Sequence, residues 1–363
     1  MSDLLVAPSL TGVLDGLPAG SSGRDVWRAL GRAGVIEQVG SSPEPDRLAH
    51  LLAAVDRRFP VGTTLAVCVQ VATVLPILAT GPADVLRRAQ TGIDTIAFAA
   101  TDVGSGSDLT ALRTGVRLGD DGIEVTGDKR WITNATTADA FLVLARHKAG
   151  RHFSSFTWVL VPASAPGVTV TPADTTLFEG SGVGHVRFDR VFSGQVIGRP
   201  GRGMTTFARH IGTERLAGGL WSVALCRRVL ADTLQRLSTR SHGENTLWHV
   251  DSVRQRFAEC LVRVRQLDAL TREVGRRIVR DHDAAAAALV KAAAASTVDH
   301  VLAECAHLQG ADGFSDGGVQ ELRAQAGLFG VGGGVTEVVL STVADQASAI
   351  LRGMDRECSP EPG

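Results

Sequence analysis

The chain has 363 residues and a formal net charge of −1 at pH 7, and this length is sufficient for two or three domains with a large core. Because no long run of like charges occurs, neither a nucleic-acid surface nor a polybasic membrane anchor is predicted. The five cysteines are scattered and never form a CxxC pair, which favours reduced thiols over a disulfide framework or a metal site. The first residues lack the basic start and apolar core of a signal peptide, so we expect a cytoplasmic protein.

Residues 1–95 are predicted to form a helical domain. Segments 25–30 and 46–58 carry apolar residues at the three- and four-residue spacing of amphipathic helices. Pro82 and Asp84 suit the first turn of a further short helix.

An uncharged stretch within this region lies between Pro60 and Asp84. Its length suggests a membrane span, but threonines, a glutamine and Pro76 interrupt it. We therefore expect a buried helix at 62–78 and no membrane insertion.

Residues 96–205 are predicted to form a central β domain. Short apolar segments alternate there with Gly, Pro, Ser and Asp, and Gly119-Asp120-Asp121 is typical of a hairpin turn. Such spacing favours a compact barrel or sandwich. The predicted strands are 95–100, 113–118, 122–126, 141–145, 156–161, 168–171 and 183–192.

Residues 206–363 are predicted to form a C-terminal helical bundle. Apolar periodicity and an alanine-rich segment that suits close helix packing indicate this fold. The predicted helices are 204–237, 247–280, 281–308, 319–329 and 335–351, with a glycine-rich break at 310–318. The whole chain is thus expected to be an α+β protein.

Five motifs occur in a fixed order along the chain. The Gly-Ser-Gly-Ser run in the first of them lets a backbone approach a ligand closely and point N–H and O–H groups at it. The motifs are FAATDVGSGSD at 98–108, GDKRWITN at 127–134, FDRV at 188–191, TERL at 213–216 and GVGGGVTE at 330–337. Together they resemble the FAD-dependent acyl-CoA dehydrogenase family. The resemblance implies N-terminal helices, a central β domain and a C-terminal four-helix bundle.

The resemblance also implies which residues bind FAD. The positions that line the isoalloxazine ring and its pyrimidine edge in the family are Phe98, Ala100, Thr101 and Ser107 here, and Ser107 also falls near the substrate. Trp131 and Thr133 fall where the family covers the ring and meets its N5 atom. Without the resemblance, Trp131 would be an ordinary core aromatic and Thr133 an ordinary strand residue.

The catalytic base is the point at which the chain departs from most of the family. Many members carry a glutamate in a sequence like Ile-Tyr-Glu-Gly-Thr, and the matching position here is Gly333, against the substrate. A minority, similar to isovaleryl-CoA dehydrogenases, has the base in Leu-Glu-Arg-Leu, where this chain has Glu214 and Arg215. The resemblance therefore implies Glu214 as the base, although a carboxylate is also typical of a first helical turn. Arg215 either tunes the charge of Glu214 near the substrate or faces solvent.

Other family positions have changed. Arg240 matches the arginine that reaches the flavin diphosphate of a neighbouring subunit, and the resemblance therefore implies a homo-oligomer, a dimer or tetramer. The glutamine that usually joins it aligns with His307, next to Gln309 and Gly310, and His307 is otherwise typical of an interface histidine. Glu337 falls at the adenine end of FAD.

We therefore predict a dehydrogenase that oxidises an acyl thioester. The missing usual base resembles members that act on acyl groups held by an acyl carrier protein in polyketide extender-unit biosynthesis. The alternatives are a short- or branched-chain dehydrogenase of CoA thioesters, a flavin monooxygenase on the same fold, and a flavin-free silent subunit. The sequence does not identify the electron acceptor.

Overall fold

The computed structural model describes residues 9–106, 108–119 and 122–357. The chain divides into two compact units, Met1–Ala217 and Gly218–Gly363. Helices give way to strands at Ile96 and strands to a long helix at Gly203, both close to the expected domain limits of 96 and 205. The division into three domains stays a prediction.

The first unit begins with seven helices in the described residues. Ser22 starts the second of them with a capping box, in which its hydroxyl accepts from the Asp25 N–H and the Asp25 carboxylate accepts from the Ser22 N–H. The predicted helices at 25–30 and 46–58 are confirmed. The helices are α1 (Leu10–Asp15), α2 (Gly23–Arg32), α3 (Val35–Val39), α4 (Pro45–Arg58), α5 (Val61–Val69), α6 (Leu75–Leu78) and α7 (Ala83–Gln90).

The uncharged stretch forms α5 and α6, joined by a π-helical turn at Gln70–Val74. The prediction of a buried helix is confirmed, because the segment Val61–Leu78 is 89% buried inside the protein. The π-helical turn was not predicted; such turns occur often at functional sites. Ala284–Phe314 and Val319–Asp345 are also apolar and long enough to span a membrane, and they are 56% and 17% buried.

Eight strands of the first unit form one hydrogen-bonded sheet in the order β6-β7-β3-β2-β4-β5-β8, with β1 pairing in parallel with β4. The interior of the sheet is apolar, and Phe141 and Phe188 meet edge to face at 5.8 Å. Strands β2 and β3 pair up to Gly119 and Gly122, and the predicted turn residues Asp120 and Asp121 lie outside the described residues. The strands are β1 (Ile96–Ala99), β2 (Gly115–Gly119), β3 (Gly122–Ile132), β4 (Ala140–Arg146), β5 (Phe156–Pro162), β6 (Val168–Pro172), β7 (Gly184–Val191) and β8 (Gln195–Ile197).

Helix α8 (Gly203–Thr239) begins in the first unit, and its residues from Gly218 onward belong to the second. Within the second unit, Gly219 lets this helix approach α10 closely, because a Cβ there would lie 2.4 Å from Val290 Cγ1. The remaining helices are α9 (Asp251–Arg280), α10 (Ala284–Gln309), α11 (Val319–Ala326), α12 (Leu328–Val331), α13 (Thr336–Asp345) and α14 (Ala347–Glu357), and a short ribbon pairs β9 (Ser241–His242) with β10 (Asn245–Thr246).

Two predicted helices of the second unit are divided, so their predicted continuity was wrong. The segment predicted at 319–329 stops at Gly327, which caps α11. The segment predicted at 335–351 stops at Gln346, whose N–H donates to the Thr342 and Val343 carbonyls in a closing turn. The long helices α8, α9 and α10 agree with their predicted limits to within a few residues.

Candidate active site

A buried ion pair joins the loop after β1 to the middle of β3. The Lys129 ammonium donates to Asp102 Oδ1 at 2.5 Å, to the Ala100 carbonyl at 2.9 Å and to the Leu144 carbonyl at 2.7 Å. The side chains of Lys129 and Asp102 are 0% and 3% exposed. Burial lowers the pKa of Lys129 to about 8, and the neighbouring Asp102 carboxylate opposes that shift.

The Asp102 carboxylate has further partners. It accepts from the backbone N–H groups of Arg113 and Thr114 at 2.6 and 2.7 Å, and from the Thr114 hydroxyl at 2.9 Å. In addition, the Arg130 N–H donates to the Thr101 carbonyl at 3.0 Å. Buried charges cost free energy unless they are paired and hydrogen-bonded, and Asp102 is both. Its bonds, together with the bond from Arg130, fix Thr101 against β3.

The pairing of β3 with β7 shifts between Lys129 and Ile132, and this bulge turns Trp131 outward. Trp131 has a φ of 55°, and its side chain is 59% exposed although both Lys129 and Ile132 are buried. The backbone N–H of Trp131 donates to His185 Nδ1 at 3.2 Å, and the Trp131 ring meets the His185 ring edge to face at a centroid distance of 5.4 Å. The bulge therefore presents a large aromatic face beside the loop after β1, and Thr133 follows half-buried.

The Gly-Ser loop has room for a ligand. Gly104 has a φ of 79°, and no atom lies within 4 Å of a Cβ placed at Gly104 or Gly106. Ser105 Oγ is buried and has no hydrogen-bond partner among the described residues. An unpaired buried hydroxyl in an open glycine loop suits a polar ligand that the protein is built to receive. Ser107, which the sequence places at the flavin edge, lies outside the described residues.

Phe98 connects this region to α8. It is half-buried on β1, stacks on Phe207 at a centroid distance of 6.4 Å and contacts the Trp158 ring at 5.3 Å. Phe207 lies on α8, seven residues before Glu214. Two helical turns separate them, so Phe207 and Glu214 lie on similar sides of the helix. Phe98, Ala100, Thr101, Trp131 and Thr133 are thus all brought to neighbouring segments of the first unit.

Glu214 is half-buried on α8 in the same unit. It lies near Cys68 of α5. Burial raises the pKa of the Cys68 thiol, and the nearby Glu214 carboxylate raises that pKa further. The neighbouring Arg215 is also half-buried, and burial lowers its pKa while Glu214 opposes that shift. The structure therefore places Glu214 beside the uncharged helix α5, and it makes Arg215 a largely covered residue rather than a solvent-facing one.

In the second unit, Arg240, Arg236 and Gln309 line a cleft of about 450 Å³. Arg240 Nη1 donates to Asp312 Oδ2 at 2.8 Å, and Arg236 lies 3.5 Å from the same oxygen. Gln309 is buried and donates to Thr233 Oγ1 at 2.8 Å. Two predicted cofactor residues, Arg240 and Gln309, therefore border one cleft, and both already have partners within the unit.

The other predicted residues of the second unit lie on turns or exposed helix ends. His307 is exposed in the last turn of α10, and Gly310 follows with a φ of 60°. Gly333 has a φ of 69° between α12 and α13, a conformation that favours glycine. Glu337 is exposed in the first turn of α13, where its charge suits the helix dipole.

Two family models match the chain, and together they span most of it. The acyl-CoA dehydrogenase middle domain matches residues 97–191, and the acyl-CoA dehydrogenase C-terminal domain matches residues 201–348. The chain belongs to the acyl-CoA dehydrogenase family. This family comprises FAD-dependent oxidoreductases of acyl thioesters, which gives the chain its enzyme class, its cofactor and its general substrate.

Individual relatives agree with the family models. The chain is 29% identical to the acyl-[acyl-carrier-protein] dehydrogenase MbtN of Mycobacterium sp. (strain MCS), covering 88% of this chain and 85% of that protein. Its fold is similar to that of PigA in complex with FAD, with a TM-score of 0.84, 19% identity, and 91% and 90% of the two chains covered. Butyryl-CoA dehydrogenase from Megasphaera elsdenii gives a TM-score of 0.84 at 17% identity, with 93% and 96% covered.

The residues of the first unit fit FAD. The outward Trp131 ring, the open glycine loop and the unpaired Ser105 hydroxyl offer an aromatic face, space and a hydrogen-bonding group on adjacent segments. Thr101 and Thr133 add hydroxyls beside them. FAD, when bound, supplies a two-electron acceptor.

Sequence reasoning missed the supports of this site. Lys129 and Asp102 were visible in the motifs, but strand alternation does not separate an inward lysine from an outward one when a bulge follows. Ser105 was passed over in favour of Ser107. Cys68 and Asp312 gave no sequence signal, because their positions next to Glu214 and Arg240 depend on contacts between distant segments.

Proposed function

We propose that the protein dehydrogenates acyl groups bound as thioesters to an acyl carrier protein, with Glu214 as the base. The observation that carries this proposal is the position of Glu214. It is a half-buried carboxylate near a buried thiol, on a helix that contacts Phe98 in the unit that carries the segments predicted to face the flavin. The proposal includes a homo-oligomer in the cytoplasm of a polyketide-producing cell, where the product serves as an extender unit.

The chemistry assigned to Glu214 is removal of the substrate α-proton. The α-proton of a thioester is weakly acidic, so its removal requires a carboxylate shielded from water and placed over the substrate. Glu214 would accept that proton, and bound FAD would supply the acceptor for the β-hydrogen and its electron pair, so that the acyl chain would gain a Cα=Cβ double bond. Gly333, at the position of the usual base, has no side chain that accepts a proton.

The half-burial of Glu214 and its position beside α5 support this role. The adjacent α5 contains no charged residue and is almost completely buried, so few water molecules reach that side of the carboxylate. Arg215 follows directly in the chain, and its positive charge is attracted by the negative charge of Glu214.

The preference for a carrier protein is supported by the relatives named above. The mycobacterial relative is called an acyl-[acyl-carrier-protein] dehydrogenase and aligns over most of both chains. A CoA thioester is the alternative substrate. The oligomer is supported by Arg240, because the family uses this position to reach the diphosphate of a neighbouring flavin.

The experiment is an anaerobic titration of the purified, FAD-loaded protein. The same saturated acyl group is offered on an acyl carrier protein and on CoA, and the loss of flavin absorbance is followed. We expect bleaching with the carrier at a higher kcat/KM than with CoA, and an α,β-unsaturated product. A better reaction with CoA would identify a CoA-dependent enzyme. In a parallel assay in air, oxygen uptake with a hydroxylated product would identify a monooxygenase. Protein that binds no FAD would contradict the proposal altogether.

A further inference from the structure

Two long segments of the first unit, besides the largely buried one between Asp56 and Asp84, contain no acidic residue. One lies between Asp139 and Asp174, and the other lies between Asp189 and Glu214. Aspartate and glutamate are otherwise about as frequent in the chain as lysine and arginine, with totals of 38 and 37. Two long carboxylate-free segments therefore concentrate positive charge wherever they meet.

The two segments do meet. Strand β5 pairs with β8, and Trp158 lies opposite Ile197. The Gly201 N–H donates to Thr157 Oγ1 at 3.0 Å, and Trp158 Nε1 donates to the Gly203 carbonyl at 3.0 Å. The loop after β4 and the start of α8 are consequently neighbours on one side of the unit.

Four cations occupy this side of the unit. His147, next to Lys148, contacts both segments: its Nδ1 lies 2.9 Å from Thr157 Oγ1, and a Cβ at Gly201 would lie 3.6 Å from its Cε1. Burial and, second, the charge of adjacent Lys148 lower the pKa of His147. The Arg202 N–H donates to the Arg199 carbonyl at 3.1 Å in a tight turn. We name Lys148, Arg199, Arg202 and Arg209 the basic surface.

All four side chains of the basic surface are exposed, and none of them forms an ion pair in the described parts of the chain. The cation beside them, Arg151, is different because it pairs with Asp108. Within the described residues, the basic surface thus consists of cations without a carboxylate partner. Unpaired cations on one surface attract a negatively charged partner and raise its rate of association.

The basic surface lies at the start of the helix that carries Glu214. Arg209 precedes Glu214 by five residues, and Arg202 precedes it by twelve, or about 18 Å along the helix at 1.5 Å per residue. A partner bound there would sit at the end of α8 that leads to the base. A flexible pantetheine arm could then run along the helix towards Glu214.

We propose that the basic surface docks the acidic face of an acyl carrier protein. This inference rests on the proposed function, since it names the partner that delivers the thioester. Arg202 and Arg209 are separated by about 10 Å along the helix, and all four side chains are spread over open surface. Such spacing suits the distributed negative charge of an acidic protein better than a single phosphate, which is held by converging donors.

The test compares Arg202→Glu/Arg209→Glu with the wild-type, FAD-loaded enzyme. The matched control is Arg87→Glu, because Arg87 is also exposed in the first unit and forms no ion pair among the described residues. Binding of an acyl carrier protein loaded with a saturated acyl group is measured by fluorescence anisotropy. Anaerobic flavin reduction is measured with the same carrier and with the same acyl group on free pantetheine.

We expect the double variant to bind the carrier about tenfold or more weakly, chiefly through slower association. Wild-type binding weakens as salt is raised, because exposed charges are screened, and the variant loses most of that dependence. Flavin reduction by acyl-pantetheine should be the same in both proteins, since this small thioester does not use the basic surface.

Unchanged carrier binding in the double variant, or an equal loss in Arg87→Glu, would overturn the docking proposal. Failure of the proposed function gives a different result. In that case the carrier binds in a charge-dependent manner, but neither it nor acyl-pantetheine reduces the flavin. Reduction by acyl-pantetheine without any binding of the carrier would leave the dehydrogenase intact and remove the docking surface.

Discussion

The ion pairs next to the predicted cofactor residues are buried in the first unit and exposed in the second. In the first unit, Lys129 and Asp102 are 0% and 3% exposed, and their bonds join the loop after β1 to β3, to β4 and to the backbone of Arg113 and Thr114. In the second unit, the pair Arg240 and Asp312 is 54% and 55% exposed. The first unit therefore has a rigid frame where the isoalloxazine ring is expected. The positions predicted for the usual base and for the diphosphate contacts, Gly333, Arg240 and His307, lie on a turn and on exposed surface.

The largest stability effect should come from breaking the buried pair. Lys129→Met leaves the Asp102 carboxylate buried without its cation, so we expect a loss of about 3–5 kcal/mol in the free energy of unfolding. Lys148→Met, at an exposed lysine, should change it by less than about 0.5 kcal/mol. Denaturant titrations measure both, and Lys129→Met/Asp102→Leu should recover part of the loss. Equal stability of the two single variants would show that the buried pair does not stabilise the first unit.

The same pair should give a distinctive pH dependence. The pKa of Lys129 is about 8 in the folded protein, against an ordinary value of 10.5 that the unfolded chain retains. The cost of keeping this lysine charged is therefore fully present below pH 8 and is lost as the pH rises towards 10.5. The unfolding free energy of the wild type relative to Lys129→Met should rise across that interval. A constant difference from pH 7 to 10.5 would show that the lysine keeps its ordinary pKa.

A smaller effect is expected for the exposed aromatic face. Trp131 is 59% exposed and Trp158 is 1% exposed. Substitution of Trp131 therefore tests cofactor binding, and substitution of Trp158 tests core packing. Trp131→Ala should weaken FAD binding roughly tenfold with less than about 1 kcal/mol lost in apoprotein stability. Trp158→Ala should cost about 3–5 kcal/mol of stability. Flavin fluorescence quenching and denaturant unfolding measure the two quantities, and FAD affinity unchanged in Trp131→Ala would exclude its ring from the site.

The smallest effect is expected in the second unit. Asp312→Asn removes one exposed carboxylate, so the unfolding free energy should change by less than about 1 kcal/mol. Because it frees Arg240 for an anionic ligand, FAD binding should become tighter. Asp316→Asn is the control, since Asp316 is exposed nearby and forms no ion pair among the described residues. An identical FAD affinity in both variants would argue that Arg240 does not reach the diphosphate.

Much of the fold could be predicted because its signals are local. Apolar periodicity marked the long helices, and alternation with Gly and Pro turns marked seven of the eight strands in the sheet. The short β8 was missed because Gln195–Ile197 offers too few residues for a periodic signal. The breaks at Gly327 and Gln346 were missed because an apolar pattern continues across them.

The site was predictable only in part, for a physical reason. Ordered motifs named Trp131 and Glu214, but neither motif indicates the bulge that turns Trp131 outward. The inward direction of Lys129 depends on the partners Asp102 and Leu144, which lie on other segments. Tertiary contacts of this kind are absent from local sequence patterns.

Glu214 is the central claim, and anaerobic flavin reduction of Glu214→Gln by the acyl thioester tests it most directly. Glutamine keeps the size and hydrogen-bonding shape of the side chain but cannot accept the α-proton. We predict that the variant folds, binds FAD with unchanged affinity and loses flavin reduction by roughly 10²–10⁴-fold, as expected for a missing general base. Glu273→Gln, at an exposed glutamate of α9, should reduce its flavin at the wild-type rate. A Glu214→Gln variant that bleaches as fast as the wild type would show that Glu214 is only a helix residue and that the base lies elsewhere.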